Sequence, residues 1–269
     1  MEQDRMRADA ALVARGLAAS REKAQGLIAA GLTTVNGAAI AKPAQKVGEA
    51  DVLAVLGQAH PYVSRGGLKL ARALEAFDAD VRGLVCVDVG ASTGGFTDVL
   101  LKHGARHVYA VDVGTGQLDP SLQRDSRVTS MEHVNARALD RSMFPEPPAL
   151  AVMDVSFISI RLILPALFAL LGEDGRVITL IKPQFEAGRQ AVGKGGIVSR
   201  PEAHRQVLRE LLAFPQGLGW RVRGLEVSPI TGGDGNIEFL ADIVPEGAGE
   251  VWATQADIDA VVKRAHAKK

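Results

Sequence analysis

The sequence predicts an α/β protein, with a small α+β unit at its N-terminus and a larger, mostly parallel sheet behind it. Two observations predict the sheet. After residue 80, apolar runs of strand length alternate with amphipathic runs of helical length, which is the pattern of βαβ units. A glycine-rich segment, residues 88–96, lies where the first of these strands meets a helix, as ligand-binding turns do in doubly wound sheets.

The first 58 residues indicate a compact unit of two helices followed by strands. Ser20 is placed to cap the second helix with its side chain. Asn36-Gly37 favours a tight hairpin, because both residue types tolerate positive φ. The predicted elements of this unit are helices at 9–15 and 21–30 and strands at 32–35 and 52–56.

The elements of the larger unit follow from the same periodicities. Its predicted strands are 85–89, 107–111, 128–131, 150–154, 177–181, 222–227 and 237–243, and its predicted helices are 95–103, 158–171, 201–214 and 256–267. The predicted domain limits are 1–58 for the small unit and 66–269 for the large one, joined by a linker at 59–65 around Pro61.

Charge is distributed unevenly although the formal net charge is zero. The first 72 residues carry a net charge of +4 and the remainder carries −4. This excludes a uniformly basic nucleic-acid binder but is compatible with an anionic partner for the N-terminal unit. The single cysteine, Cys86, cannot form an intrachain disulfide, which favours the reducing cytoplasm. We see no signal peptide and no apolar stretch of membrane-spanning length.

The glycine-rich segment predicts a cofactor site. Asp112 ends the next strand, where a carboxylate can accept both hydroxyls of a ribose. The spacing Gly90-x-x-x-Gly94 departs from the pyrophosphate-binding pattern, and Asp88 would repel a pyrophosphate but suits a sulfonium ligand with an ammonium group. We therefore favour S-adenosylmethionine over a dinucleotide, with a plain βα turn as the alternative. The predicted cofactor-binding residues are Asp88, Gly90, Ala91, Ser92, Gly94, Gly95, Phe96, Asp112 and Val113.

Four charged residues lie beside apolar segments, where charge is costly. Asp154 and Lys182 each end a predicted strand, Glu238 lies at the start of another, and Lys69 lies just ahead of the sheet. Ligands bind beyond the carboxyl ends of strands in open parallel sheets. We therefore expect Asp154 and Lys182 in one crevice beside Gly90, with ordinary salt bridges as the alternative.

This set resembles the K-D-K-E tetrad of the FtsJ-type ribose 2′-O-methyltransferases. Segments 88–96, 154–159, 182–186 and 228–238 are similar to the TlyA family, and the N-terminal unit resembles an S4 RNA-binding domain. The resemblance implies a Rossmann-like methyltransferase fold that uses S-adenosylmethionine to modify the 2′-hydroxyl of cytidines in small- and large-subunit ribosomal RNA. It implies catalytic roles for Lys69, Asp154, Lys182 and Glu238. Lys182 is the candidate general base, or it orients the hydroxyl while the proton leaves late.

The resemblance also implies a partner, ribosomal RNA within ribosomal subunits, with the N-terminal unit docking on structured RNA. The predicted RNA-binding residues are Arg5, Arg7, Arg21, Lys23, Lys42 and Arg65. We expect no metal site, no membrane association and no obligate protein partner. Two other hypotheses stay open: a membrane-lytic protein, because this family often carries the label hemolysin, and a different S4-fused RNA modifier such as a pseudouridine synthase.

Overall fold

The computed structural model describes residues 5–18, 20–56, 60–248 and 251–267. The chain divides into two compact units, Met1–Pro61 and Tyr62–Lys269. The predicted boundary at residues 58 and 59 lies outside the described residues. The end of the predicted linker belongs to the second unit, where the Val63 N–H donates to Asp98 Oδ2 over 2.9 Å.

The first unit consists of two helices and five short strands. They are β1 (Met6–Arg7), α1 (Ala8–Ala14), α2 (Arg21–Ala29), β2 (Thr33–Val35), β3 (Ala38–Ala39), β4 (Lys46–Val47) and β5 (Leu53–Val55). β1 pairs with β4, and β2 lies between β3 and β5. Leu12 and Ile28 of the two helices share a buried cluster with Val47 and Leu53, so the helices and strands close around one small core.

Two local predictions in this unit are confirmed. Asn36 and Gly37 have φ of 51° and 82° between the paired residues Val35 and Ala38, as a two-residue hairpin turn requires. Ser20 Oγ accepts the Lys23 N–H at 3.2 Å and caps α2.

The second unit is a seven-stranded sheet with helices. Its elements are α3 (Gly66–Ala76), β6 (Val85–Val89), α4 (Gly95–Lys102), β7 (His107–Val111), α5 (Pro120–Gln123), β8 (Val128–Met131), β9 (Leu150–Met153), α6 (Leu164–Leu171), β10 (Arg176–Ile181), α7 (Pro183–Glu186), α8 (Pro201–Ala213), β11 (Trp220–Val227), β12 (Phe239–Pro245) and α9 (Gln255–Ala267).

The sheet has the order β11-β12-β10-β9-β6-β7-β8. The strands from β10 to β8 pair in parallel, and β12 is antiparallel to both of its neighbours. From β6 the chain first builds outward through β7 and β8, and then returns to add β9 on the other side. Strand order therefore reverses between β6 and β9, and the crevice at such a point is where doubly wound sheets bind ligands.

Alternate side chains of the central strands enter two different cores, as the two-residue period of a strand requires. Val87 and Val89 pack in a cluster with residues of α6, α8 and α9. Cys86 packs in a second cluster with residues of α3, α4 and α5. Both faces of the sheet are thus covered, which explains the nearly continuous apolar runs in its central strands.

The structure differs from the sequence expectations at several elements, among them the unpredicted short elements β1, β4, α5 and α7. Helix α3 was not predicted, because Arg65-Gly66-Gly67 resembles a loop, whereas Gly67 is needed where the Tyr62 side chain packs against it. The helix predicted over 158–171 is divided into a 3-10 turn and α6, because Pro165 favours a new helical start. The strand predicted over 237–243 begins only at Phe239.

Candidate active site

The turn between β6 and α4 has the conformation that its glycines allow. Gly90 and Gly94 have φ of 80° and 91°. A Cβ added at Gly90 would lie 2.6 Å from the backbone oxygen of Asp154, so the turn after β6 closely approaches the end of β9. Glycine is required at this position for space as well as for conformation.

Asp88 lies beneath this turn and is fully buried. Its Oδ2 accepts the Thr97 N–H at 2.9 Å and the Thr97 hydroxyl at 2.7 Å, whereas its Oδ1 has no hydrogen-bond partner among the described residues. Burial raises the pKa of Asp88 to about 7, although the two Thr97 hydrogen bonds lower it. Asp88 therefore fastens the start of α4 in this structure, and a direct contact with a cofactor stays a prediction.

We expect Asp88→Asn to flatten the pH dependence of stability. The folded pKa lies above the unfolded value, so the folded chain holds this proton more tightly. The stabilising contribution is complete below the unfolded pKa and is lost as pH rises from about 4 to about 7. Urea unfolding of both proteins across this pH range measures the difference. Identical pH slopes for wild type and variant would contradict a raised pKa at Asp88.

A cleft opens between this turn and the ends of β7 and β8. Its lining residues are Ala91, Ser92, Ala110, Asp112, Gly114, Gln117, Leu118, Ser130 and Glu132. The Asp112 carboxylate accepts the backbone N–H groups of Ser92 and Gly114, both at 2.8 Å, so it stands in a fixed orientation. Of the other predicted cofactor residues, Gly95 and Phe96 are buried in α4 and Val113 is exposed.

Gln117 and Glu132 were not among the predicted cofactor residues. Gln117 Oε1 accepts the Ser92 hydroxyl at 3.1 Å, and Glu132 accepts the Gly116 N–H at 2.7 Å. Glu132 directly follows strand β8, so the strand-end argument applied to Asp112 could also have found it. Gln117 lies on a loop, where the strand-end argument does not apply, although residues 114–118 also fit the family resemblance.

The four candidate catalytic residues lie together: Asp154 and Lys182 follow strand ends as expected, while Lys69 comes from α3 and Glu238 directly precedes β12. Lys69 Nζ lies 2.6 Å from Glu238 Oε2 and 3.6 Å from Asp154 Oδ2. Lys182 Nζ lies 2.5 Å from Asp154 Oδ1. Asp154 thus bridges the two lysines, and the close approach at Gly90 places the group beside the glycine-rich turn.

The tetrad is largely shielded from water. The side chains of Lys69, Lys182 and Glu238 are 9%, 11% and 2% exposed, whereas Asp154 is 20% exposed. Burial raises the pKa of Glu238, and the charge of Lys69 opposes this effect. Two cations and two carboxylates at this separation compensate one another, so the cluster can remain buried without a net charge.

Two residues of the β9 loop extend the site beyond the predicted tetrad. Ser156 Oγ accepts a hydrogen bond from Lys182 Nζ at 2.8 Å. Phe157 is 92% exposed and has φ of 65°, a conformation that bulky side chains rarely adopt. Its ring lies 5.2 Å from that of Phe185, in the helix that follows Lys182. Strand pattern alone could not identify either residue, because the loop conformation sets their positions.

The predicted RNA-binding residues fall into two groups. Arg7 and Arg21 form ion pairs with the fully buried Asp9, at 3.0 and 3.1 Å, so these two guanidinium groups also stabilise the first unit. The remaining predicted residues have exposed side chains: Arg5, Lys23 and Lys42 in the first unit and Arg65 in the second. RNA binding by all six residues stays a prediction.

Two further expectations concern metals and membranes. Within the described ranges, the histidine, cysteine and acidic side chains form no group that could hold a metal ion. None of the described helices combines the length and apolar character needed to span a membrane.

Comparisons with known proteins agree with this geometry. FtsJ-like methyltransferases match residues 62–242, and the S4 domain matches residues 6–53. The Mycobacterium tuberculosis 16S/23S rRNA (cytidine-2′-O)-methyltransferase TlyA is 45% identical over 237 residues, which are 88% of each chain.

Two solved structures are also similar to this chain. A Streptococcus thermophilus protein named as a hemolysin is 45% identical, with a TM-score of 0.78 over 98% of this chain and 96% of that one. An S-adenosylmethionine-dependent methyltransferase from Listeria monocytogenes is 13% identical and covers 68% of this chain and 99% of that one. Its TM-score of 0.51 shows a shared fold alone.

Proposed function

Because this chain belongs to the FtsJ-like methyltransferase family and begins with an S4 domain, we propose that it methylates the 2′-hydroxyl of cytidines in ribosomal RNA, using S-adenosylmethionine. The observation that carries this proposal is the convergence of Lys69, Asp154, Lys182 and Glu238 beside the glycine-rich turn. The relative from M. tuberculosis carries the name of this activity, on both 16S and 23S RNA.

The cleft residues fit the proposed cofactor. Asp112 stands at the end of β7 with its carboxylate already oriented, as binding of ribose hydroxyls requires. The unpartnered Asp88 Oδ1 is a buried acceptor under the same turn, which suits an ammonium group nearby. The Gly90 turn leaves no room for a side chain against Asp154, so a ligand on the turn can approach the tetrad closely.

Asp112→Ala should weaken S-adenosylmethionine binding by about one to two orders of magnitude, because removing a charged hydrogen-bond partner costs about 1.5–3 kcal/mol. The fold should persist, since Asp112 lies at the cleft. Calorimetric titration measures the affinity, and circular dichroism checks the fold. Glu146→Ala is a matched control, because Glu146 is exposed and pairs with Arg106 elsewhere in the second unit. Unchanged affinity in folded Asp112→Ala would exclude Asp112 from the site.

The tetrad can position a ribose hydroxyl. The bound cofactor supplies an electrophilic methyl group on its sulfonium. Lys182 Nζ is held by Asp154 and by Ser156, and an ε-amino group can form one more hydrogen bond. We assign that third position to the 2′-oxygen, where Lys182 either accepts the proton in its neutral form or, as a cation, holds the oxygen until the proton leaves. Fixing this oxygen in line with the methyl group supplies a large share of the rate enhancement.

Lys69 and Glu238 act one step further from the hydroxyl. Lys69 contacts both Glu238 and Asp154, so it determines where the Asp154 carboxylate can stand. Glu238 is buried, and it orients Lys69 at 2.6 Å. The pair therefore places Asp154 for its contact with Lys182.

The exposed ring of Phe157 provides a surface for the target base. An exposed aromatic face can stack on a nucleobase, and such stacking is worth about 1–3 kcal/mol. Phe157 lies three residues after Asp154 in sequence, and its ring packs against Phe185, three residues after Lys182. Both rings are therefore close in sequence to residues of the tetrad. A nucleotide taken out of its helix would find its sugar at Lys182 and its base at this ring.

We propose that the substrate is ribosomal RNA in assembled ribosomal subunits, in the cytoplasm. The purified chain and labelled S-adenosylmethionine are incubated with unmodified small and large subunits, and the RNA is digested to nucleosides. We expect label in 2′-O-methylcytidine from both RNAs. Label on a base, or no label in either RNA, would contradict the proposed function.

A further inference from the structure

The segment between α7 and α8, residues 187–200, has no role in the chemistry above. Its only regular structure is two 3-10 turns, Arg189–Ala191 and Lys194–Gly196. It is nevertheless tied to the tetrad at both ends. It begins five residues after Lys182, and its far end is bound to Asn236, two residues before Glu238.

Two buried polar side chains fix the far end of this segment. Asn236 Oδ1 accepts the Val198 N–H at 2.9 Å, and Asn236 Nδ2 donates to the Gly196 oxygen at 3.0 Å. His204 Nε2 lies 3.0 Å from the Val198 oxygen. Asn236 is 1% exposed, and a buried amide is costly unless its hydrogen bonds are made. The sequence thus specifies where this otherwise irregular segment stands.

The segment presents three exposed cations within twelve residues: Arg189, Lys194 and Arg200. Across the residues that the structure describes, their side chains make no hydrogen bond or ion pair. Many other arginines of the second unit form ion pairs with carboxylates, as Arg176 does with Asp242. Glu202 is close in sequence but pairs with Arg205. Uncompensated positive charge is therefore displayed here, on a unit whose acidic and basic residues nearly balance.

We propose that Arg189, Lys194 and Arg200 bind phosphates of the RNA backbone flanking the target nucleotide, and that Asn236 is the positioning residue that keeps this surface in register with Glu238. This rests on the proposed function, because it takes RNA as the substrate. Phosphate contacts fix the orientation of a nucleic acid without reading its sequence. Asn236, which holds this surface, lies two residues before Glu238 of the tetrad. Phosphates bound here would therefore place the RNA backbone relative to Lys182. The first unit, which is distant in sequence, does not supply this placement.

The test of the surface is Arg189→Gln/Lys194→Gln in the full chain. We expect the Kd for ribosomal RNA to rise about tenfold and the slope of log K against log salt to fall by about 1.5, since two phosphate contacts are lost. Affinity for S-adenosylmethionine should not change. Arg209→Gln/Lys263→Gln is the matched control, because both residues are exposed and form no ion pair with a described carboxylate. Wild-type RNA affinity and a wild-type salt slope in Arg189→Gln/Lys194→Gln would contradict the proposed phosphate-binding surface.

The test of Asn236 is a double-mutant cycle. Asn236→Ala should raise the KM for RNA and lower the salt slope, and it should cause no further loss of RNA affinity in the Arg189→Gln/Lys194→Gln background. Asn236→Asp keeps the acceptor for Val198 and should lie between wild type and Asn236→Ala. Additive losses, or a lower kcat with unchanged RNA affinity and slope in both Asn236 variants, would overturn the positioning role. Failure of wild type to methylate ribosomal RNA would instead refute the proposed function.

Discussion

Lys182→Ala should reduce methyl transfer to ribosomal RNA by about a thousandfold while leaving S-adenosylmethionine binding intact. The reason is the position of its ε-amino group, 2.5 Å from Asp154 Oδ1 and 2.8 Å from Ser156 Oγ. These two contacts leave one position on the nitrogen for the ribose hydroxyl. The cofactor cleft is lined by residues of the β6, β7 and β8 ends, so removing Lys182 does not remove a lining residue.

Single-turnover measurements with saturating RNA and cofactor separate chemistry from binding. Lys182→Arg keeps a cation but changes its shape, so it tests whether charge alone is sufficient. Asp154→Ala is a second test variant, because Asp154 contacts both lysines. Its reduction in methyl-transfer rate should approach that of Lys182→Ala. Lys263→Ala, an exposed residue of α9, is the control. A rate within a few-fold of wild type for Lys182→Ala would remove Lys182 from the reaction.

The parts of the site that residue patterns alone predicted are those fixed by strand ends, whereas the roles of Lys69 and Glu238 were implied by the family resemblance. Asp112, Asp154 and Lys182 each follow the last residue of a parallel strand, and parallel strands present their carboxyl ends at one edge. The turn at Gly90 is equally local, since its glycines and the adjoining apolar strand are contiguous. The α/β architecture with its mostly parallel sheet follows from the alternation of strands and helices, whereas the methyltransferase fold was implied by the family resemblance, and both are confirmed.

What sequence reasoning missed depends on contacts between distant segments. Ser156 lies in the site because its loop turns toward Lys182, 26 residues later. The role of Asn236 follows from the structure, in which its side chain accepts the Val198 N–H. Arg7 and Arg21 were predicted to bind RNA from their charge and from the S4 resemblance, which gave no sign that both pair with the buried Asp9. Periodicity gives the face of an element, and it does not give the partner of a long side chain.

Removing residues 1–58 should abolish methylation of ribosomal subunits, with a loss of at least about a hundredfold, and leave S-adenosylmethionine binding unchanged. The second unit has its own two buried clusters, formed by described residues of 62–269. The truncation also spares Val63 and its bond to Asp98. A folded catalytic unit is therefore expected, and circular dichroism and calorimetry check it before activity is compared.

The loss should come from docking, because one nucleotide in a small crevice offers little surface for recognising a structured RNA. A subtler variant separates docking from folding: Lys23→Gln/Lys42→Gln removes two exposed cations and leaves the Arg7 and Arg21 pairs with Asp9 in place. We expect this variant to bind subunits with a salt slope lower by about 1.5, and to recover activity when salt is reduced, because each lost phosphate contact removes a share of counterion release. A truncated chain that methylates subunits as fast as the full chain would show that the first unit does not dock. A charge variant with the wild-type slope would move the docking surface away from Lys23 and Lys42.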